Sequence, residues 1–261
     1  MISHQKTNRG RMLVTHFDYS KLEYDIRSDL PETYRVAWEK IASPGNWWNG
    51  EDRVAIAAEV RAARQCELCK SRKQALSPFS VKGSHDVGTH LPEAAIDAVH
   101  RLVTDASRLT KSWLADSDSA GLSNEKYIEL MGVVVTVISI DAFHRAMGIE
   151  LESLPEPHSG EPDGYRPATA VEGDAWVARI SPGDAIGDEA DLYDGMKQTG
   201  NVISAMSLVP DSVRLLKLVS AVQYLLPQQV ANPSTNGGRK ISRPQIELLA
   251  GRVSALSDCF Y

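Results

Sequence analysis

SNEKYIELMGVVVTVISIDAFHRAMGI, residues 123–149, is the stretch on which the fold class turns. Its centre, 133–140, is rich in β-branched residues and by propensity alone suits a strand. The run continues into further apolar sequence without a turn signal and is longer than most strands, so it reads as one helix capped by Ser123. Helical texture extends outward from it. Asp29 can cap a segment that opens with Pro31 and Glu32 and carries Tyr34, Val36, Ala37 and Trp38, an early proline suiting a first helical turn. GNWWNGED ends that segment and leads into RVAIAAEVRAA, apolar at three- to four-residue spacing. Residues 77–92, SPFSVKGSHDVGTHLP, have loop composition, and Pro92 starts another helical stretch over 93–117.

The texture changes after Glu150. Pro155, Pro157, Pro162, Pro167 and Pro182 alternate with Gly, Asp and Glu, an acidic excursion of the kind that forms covers, binding loops or linkers. Trp176, Val177 and Ile180 are expected to pin its middle to a surface. Helical sequence returns at 201–226 and again at 242–261, where Ser242 serves as cap and Pro244 lies in the first turn. The expected organisation is an N-terminal tail (1–29), a helical unit (30–150), an acidic Pro/Gly-rich loop or linker (151–192) and a partial second helical unit (193–261), all-α throughout.

Composition narrows the function classes. With 43% hydrophobic residues the chain can build a packed core, and 28 basic against 34 acidic residues, net −6, leave no footprint for nucleic acid. The first dozen residues hold Lys6, Arg9 and Arg11 without an apolar stretch and read as a loose polar tail, so no export is expected. The most apolar run, 131–140, is broken by Gly132, Thr136 and Ser139 and is about half of the ~20 residues a bilayer span needs. A cytoplasmic protein without membrane partners is the expectation.

Of three cysteines, two form a Cys-X-X-Cys, Cys66 and Cys69, in the helical-looking AAEVRAARQCELCKSRKQAL. In a cytosolic chain such a pair is more often catalytic or metal-binding than structural. The third, Cys259, lies in SALSDCFY. Set against Cys66 without gaps, it pairs Val253 with Val60, Ala255 with Ala62, Ala250 with Ala57 and Leu249 with Ile56, in register with the apolar face.

ISRPQIELLAGRVSALSDCFY, residues 241–261, resembles the start of the core motif of the alkylhydroperoxidase D and carboxymuconolactone decarboxylase superfamily. In that motif a Glu precedes a Cys-X-X-Cys by twelve residues and a His follows the second Cys by four; Glu247 stands twelve before Cys259. GEDRVAIAAEVRAARQCELCKSRKQALSP resembles the same motif, and the 123–149 stretch resembles the family's closing helix. The likeness covers most of 30–150 and 195–261 and implies a helical bundle with an incomplete second repeat. There are departures. The first copy has Val54 at the Glu position, Lys73 at the His position and Leu68 between the cysteines, while the second has Glu247 and Cys259 but ends before its second Cys.

The resemblance implies thiol-dependent reduction of a hydroperoxide, with Cys69 attacking the peroxide and Cys66 resolving the sulfenic acid. It implies an external dithiol as reductant, a homo-oligomer, and neither metal nor flavin. Lys70, Arg72 and Lys73 can supply a positive field in place of the missing His. Glu59, seven residues before Cys66, shares its face if the helix is continuous and can act as substitute base; a break at Arg64-Gln65 removes that geometry, and Arg61 or Arg64 can instead pair with it. His144, three after Asp141, is a candidate imported base, and otherwise a half-buried helix histidine. A zinc site of Cys66, Cys69, His85 and His90 is a further possibility. Trp47 and Trp48 read as core or interface anchors. Two rival functions stand beside the reductase: a non-catalytic helical oligomer that binds a ligand, and a decarboxylase-like lyase working through Glu59, His85 and His144.

Overall fold

A computed structural model describes residues 16–86, 88–256 and 259. Among them the chain is helical and irregular without a strand, the one β-type pairing being an isolated bridge between Val171 and Arg179. The 123–149 stretch is helix α6, Asn124–Met147, and the Ser123 hydroxyl accepts the Lys126 N–H as the cap. Residues on every side of α6 are buried, among them Leu130, Val133, Val134, Val137 and Ile140. A helix that is apolar all round belongs in the middle of a bundle, and that placement overrides the β-propensity of its valines. By length and composition α6 could cross a membrane, yet 67% of its most apolar window is buried inside the protein.

Around α6 pack α2 (Gly50–Ala63), α4 (Glu93–Thr104) and α8 (Pro210–Gln223), while α1 (Asp29–Ala42) lies against α8 and α2. α6 and α8 approach closely at Gly132, where an added Cβ would lie 2.7 Å from Ser212 Oγ. Asn49 caps α2 by accepting the Asp52 N–H, and Asp29 is the first residue of α1 rather than its cap, bound to Arg27. A buried ion pair, Arg53 with Glu129, ties α2 to α6, and Glu129 also accepts the Trp47 N–H. Trp48 is buried and donates to the Lys126 carbonyl, as expected of an anchor.

The helical stretch 93–117 is not continuous: α4 ends at Thr104, a 3-10 turn (Ala106–Arg108) follows, and α5 runs Lys111–Ser119. The 201–226 stretch breaks in the same way into α7 (Asn201–Ser204) and α8, because Pro210 suits a first helical turn and not an interior one. Beyond it lie α9 (Pro227–Val230) and α10 (Arg243–Leu256). The acidic segment from Glu150 is irregular as expected, and Val177 and Ile180 bury themselves in the core. Trp176 does not; it is 47% exposed. The polar reading of the first dozen residues falls outside the described chain, but Phe17 is fully buried against Tyr34, Trp38 and His144.

The repeat has a structural echo. α2 spans Gly50–Ala63 and α10 is described over Arg243–Leu256, so the residues paired from sequence lie on helices in both. Their surroundings differ. Ile56 and Val60 are buried, whereas the matched Leu249 and Val253 are 59% and 63% exposed and α10 buries only Ile246.

Candidate functional site

The cysteines do not lie on one helix. α2 ends at Ala63, the chain turns through Arg64-Gln65, and α3, Glu67–Gln74, starts afresh with Cys66 as its N-cap and Cys69 in its first turn. The pair therefore sits at a helix N-terminus, where exposed N–H groups favour negative charge on sulfur. Burial raises the Cys66 thiol pKa, but hydrogen bonds from the Asp86 and Cys69 backbone and from His85 outweigh it, and the net shift is downward. Both sulfurs are unbridged, and the residues are 1% and 2% exposed.

Two imidazoles close on the sulfurs. His100 comes from the buried side of α4, its Nδ1 3.3 Å from Cys69 Sγ and its Nε2 3.0 Å from Glu59 Oε2. His85 comes from the loop after α3, its Nδ1 3.6 Å from both Cys66 Sγ and Cys69 Sγ and its Nε2 2.9 Å from Asp97 Oδ1. The ring centroids are 4.2 Å apart. Each carboxylate is itself fixed. Glu59 Oε1 accepts from the Thr89 hydroxyl at 2.7 Å and the Gly88 N–H at 3.2 Å, and Asp97 accepts from Arg72, Arg101 and the Trp113 indole.

The carboxylates settle the tautomers. A carboxylate oxygen only accepts, so each Nε2 carries the hydrogen that binds it; the neutral His100 ring then turns its Nδ1 lone pair toward Cys69, whereas His85, when protonated, donates from Nδ1 to the two sulfurs. Burial lowers the His100 pKa, with Glu59 opposing, and the net shift is downward, which keeps that ring neutral. For His85 burial acts the same way, but Asp97 and the two sulfurs prevail and raise it to about 10. Asp97 is lowered well below the carboxylate range, because His85, Arg101 and Arg72 overcome its burial.

Of the residues singled out from sequence, Cys66, Cys69, Glu59 and His85 come together. Glu59 arrives by a different route from the one expected: the helix does break at Arg64-Gln65, and the carboxylate reaches Cys69 through His100 instead of along one helical face. Arg61 pairs with Asp141, not with Glu59. That pairing also removes Asp141 from His144. The His144 ring binds Tyr19 Oη and the Glu150 carbonyl at its two nitrogens, packs on Phe17 and Phe143, and takes no part in the cysteine cluster. His90 is likewise elsewhere, paired with Asp52 on the surface. Of the three cations after Cys69, Arg72 reaches the site through Asp97; Lys70 pairs with Glu67, and Lys73 is exposed. Glu247 binds Tyr224 and Arg243, and Cys259 is exposed.

Sequence reasoning missed His100 and Asp97. The available signal was modest: His100 falls four residues after Ile96 and next to Val99, on the buried side of an amphipathic helix. The cavity of about 880 Å³ lined by Thr136, Ser139, Gln223, Arg239, Ile246 and Leu249 contains none of the cluster residues. No family model, no curated protein and no solved structure matches the chain.

Proposed function

We propose that the protein is a thiol-dependent hydroperoxide reductase of alkylhydroperoxidase D type, working through Cys69 and Cys66. The observation that carries this reading is the chain of contacts Glu59 Oε2, His100, Cys69 Sγ, at 3.0 and 3.3 Å. The likeness drawn from sequence lacked its acid and its imidazole, at Val54 and Lys73. Glu59 and His100 supply both chemical types from other positions.

In the reaction His100 Nδ1 takes the Cys69 proton, and the thiolate attacks the distal peroxide oxygen. The O–O bond breaks, the alkoxide leaves as alcohol with the proton from His100, and Cys69 becomes a sulfenic acid. Cys66 then attacks Cys69 Sγ; the S–S bond forms, the S–O bond breaks and water leaves. The two sulfurs have lost two electrons and the peroxide has gained them. An external dithiol restores the pair by exchange. Both thiols are buried, so the peroxide must gain access to Cys69 before it reacts.

Dithiothreitol-dependent consumption of cumene hydroperoxide tests the assignment. Wild type should turn over, Cys69→Ser should lose turnover, and Cys66→Ser should complete a single turnover. Equal rates for wild type and the double serine variant would rule the reading out.

A further inference from the structure

We propose that the reduced site is also a tetrahedral binding site for one zinc ion, with Cys66 Sγ, Cys69 Sγ, His85 Nδ1 and His100 Nδ1 as its four ligands. These four atoms lie within 4.8 Å of one another. Zinc holds sulfur at about 2.3 Å and nitrogen at about 2.0–2.1 Å, which at a tetrahedral angle sets sulfur and nitrogen about 3.5 Å apart. Three of the four S···N distances are 3.3, 3.6 and 3.6 Å, and the fourth, Cys66 to His100, is within 4.8 Å.

A hydrogen bond from sulfur to nitrogen has a similar length, so distance alone does not choose. The convergence does. His85 Nδ1 is equally far from both sulfurs, a position suited to sharing one central ion and poor for a single directed hydrogen bond. With both Nε2 atoms held by carboxylates, the two Nδ1 atoms and two sulfurs point at one centre, and metal binding would displace the His85 Nδ1 proton together with the thiol protons. A ligating histidine almost always gives its other N–H to a carboxylate or carbonyl, and here both do. Glu59 and Asp97 are in turn locked by Thr89, Gly88, Arg72, Arg101 and Trp113.

Donor type selects the metal. Two thiolates and two imidazoles in a tetrahedron suit zinc and not magnesium or calcium, which take oxygen ligands. Two thiolates also neutralise a divalent ion, which makes its burial tolerable. Three buried ligands and a His85 side chain that is 5% exposed describe a closed site. The segments joined are α3, α4 and the loop between them, so the metal would pin the His85 segment over the thiols.

One consequence rests on the dithiol reading, whereas the site itself does not. Oxidation of the zinc-bound pair by a hydroperoxide, taking up two protons, yields the Cys66–Cys69 disulfide, alcohol, water and free zinc. Metal and disulfide exclude one another.

The test uses the full chain, reduced and stripped of metal with EDTA, titrated first with Co²⁺ and then with Zn²⁺. The expected result is intense visible bands of tetrahedral cobalt with thiolate charge transfer, saturating at one equivalent and bleached by one equivalent of zinc. Cys66→Ser and His100→Ala should each lose those bands, and Glu59→Gln should bind about 10–100-fold more weakly. Circular dichroism on each variant separates loss of binding from loss of fold. Since Glu59→Gln changes only an outer contact, its weakened binding supports the site even if the ligand variants unfold. A folded, reduced wild type that develops no tetrahedral cobalt spectrum overturns the proposal. The metal-free protein is assayed for peroxide turnover in parallel. Turnover without cobalt bands sinks the metal site alone, and cobalt bands without turnover sink the reductase alone.

Discussion

Glu59 and Cys69 lie on two helices separated by a turn, and the single ring of His100 joins them, Nε2 to the carboxylate and Nδ1 to the sulfur. In this arrangement the acid does not touch the thiol. It fixes which nitrogen of the histidine is free to do so.

The first prediction follows from that ring. An amide in place of the carboxylate can donate as well as accept, so Glu59→Gln permits the other tautomer, with a hydrogen on Nδ1 facing the sulfur. A positioned general base contributes about 10²–10⁴ in rate. Stopped-flow oxidation of metal-free Cys69 should slow by about that range in His100→Ala and by less in Glu59→Gln. Unchanged rates in folded His100→Ala would remove the histidine from the chemistry.

A second concerns the Arg53–Glu129 pair, buried between α2 and α6. Removing one partner of a buried pair strands the other charge, at about 3–5 kcal/mol. Glu129→Ala also leaves the Trp47 N–H without its acceptor. Urea denaturation should therefore show a loss of about that size, while Arg53→Met with Glu129→Leu should recover most of it.

At the α6–α8 contact, Gly132→Ala sets two effects against each other. Helix propensity favours alanine by about 1 kcal/mol, but the new Cβ would stand 2.9 Å from Ser212 Cβ, and overpacking costs about 1–3 kcal/mol. Packing wins, and the variant should lower the urea midpoint. Adding Ser212→Gly should relieve the overlap; a midpoint in Gly132→Ala at or above wild type would contradict the close approach.

Acid should loosen the N-terminal segment. Burial pushes the Glu152 carboxyl up, but the Phe17 N–H and the His16 ring more than offset it, so its folded pKa lies below the ordinary 4.5. Such a group stabilises the fold above its unfolded pKa, and the contribution disappears as pH falls through the lower, folded value. The stability difference between wild type and Glu152→Gln should shrink as pH falls below about 4.5, read by urea unfolding across the acid range.

Much of the fold was legible because periodicity and caps are local. Ser123 marks a start that α6 obeys, whereas Asn49, which caps α2, and Pro210, which opens α8 inside a stretch read as continuous, were not singled out. The break of the 93–117 stretch near Asp105 was not legible, since no proline or glycine marks it. At the site, the cysteines and Glu59 were visible and His100 was not, for it lies 31 residues from Cys69. Only the packing of α4 on α2 and α3 brings it in. His144 misled for the opposite reason: its neighbour Asp141 suggested a local pair, and a distant Arg61 took that carboxylate.

Mass spectrometry of the metal-free reduced chain after one equivalent of cumene hydroperoxide probes the dithiol cycle directly. It should find a Cys66–Cys69 disulfide in wild type and, in Cys66→Ser, a dimedone adduct confined to Cys69. Thiols that stay reduced in the folded protein, or an adduct on Cys259 alone, would contradict the account.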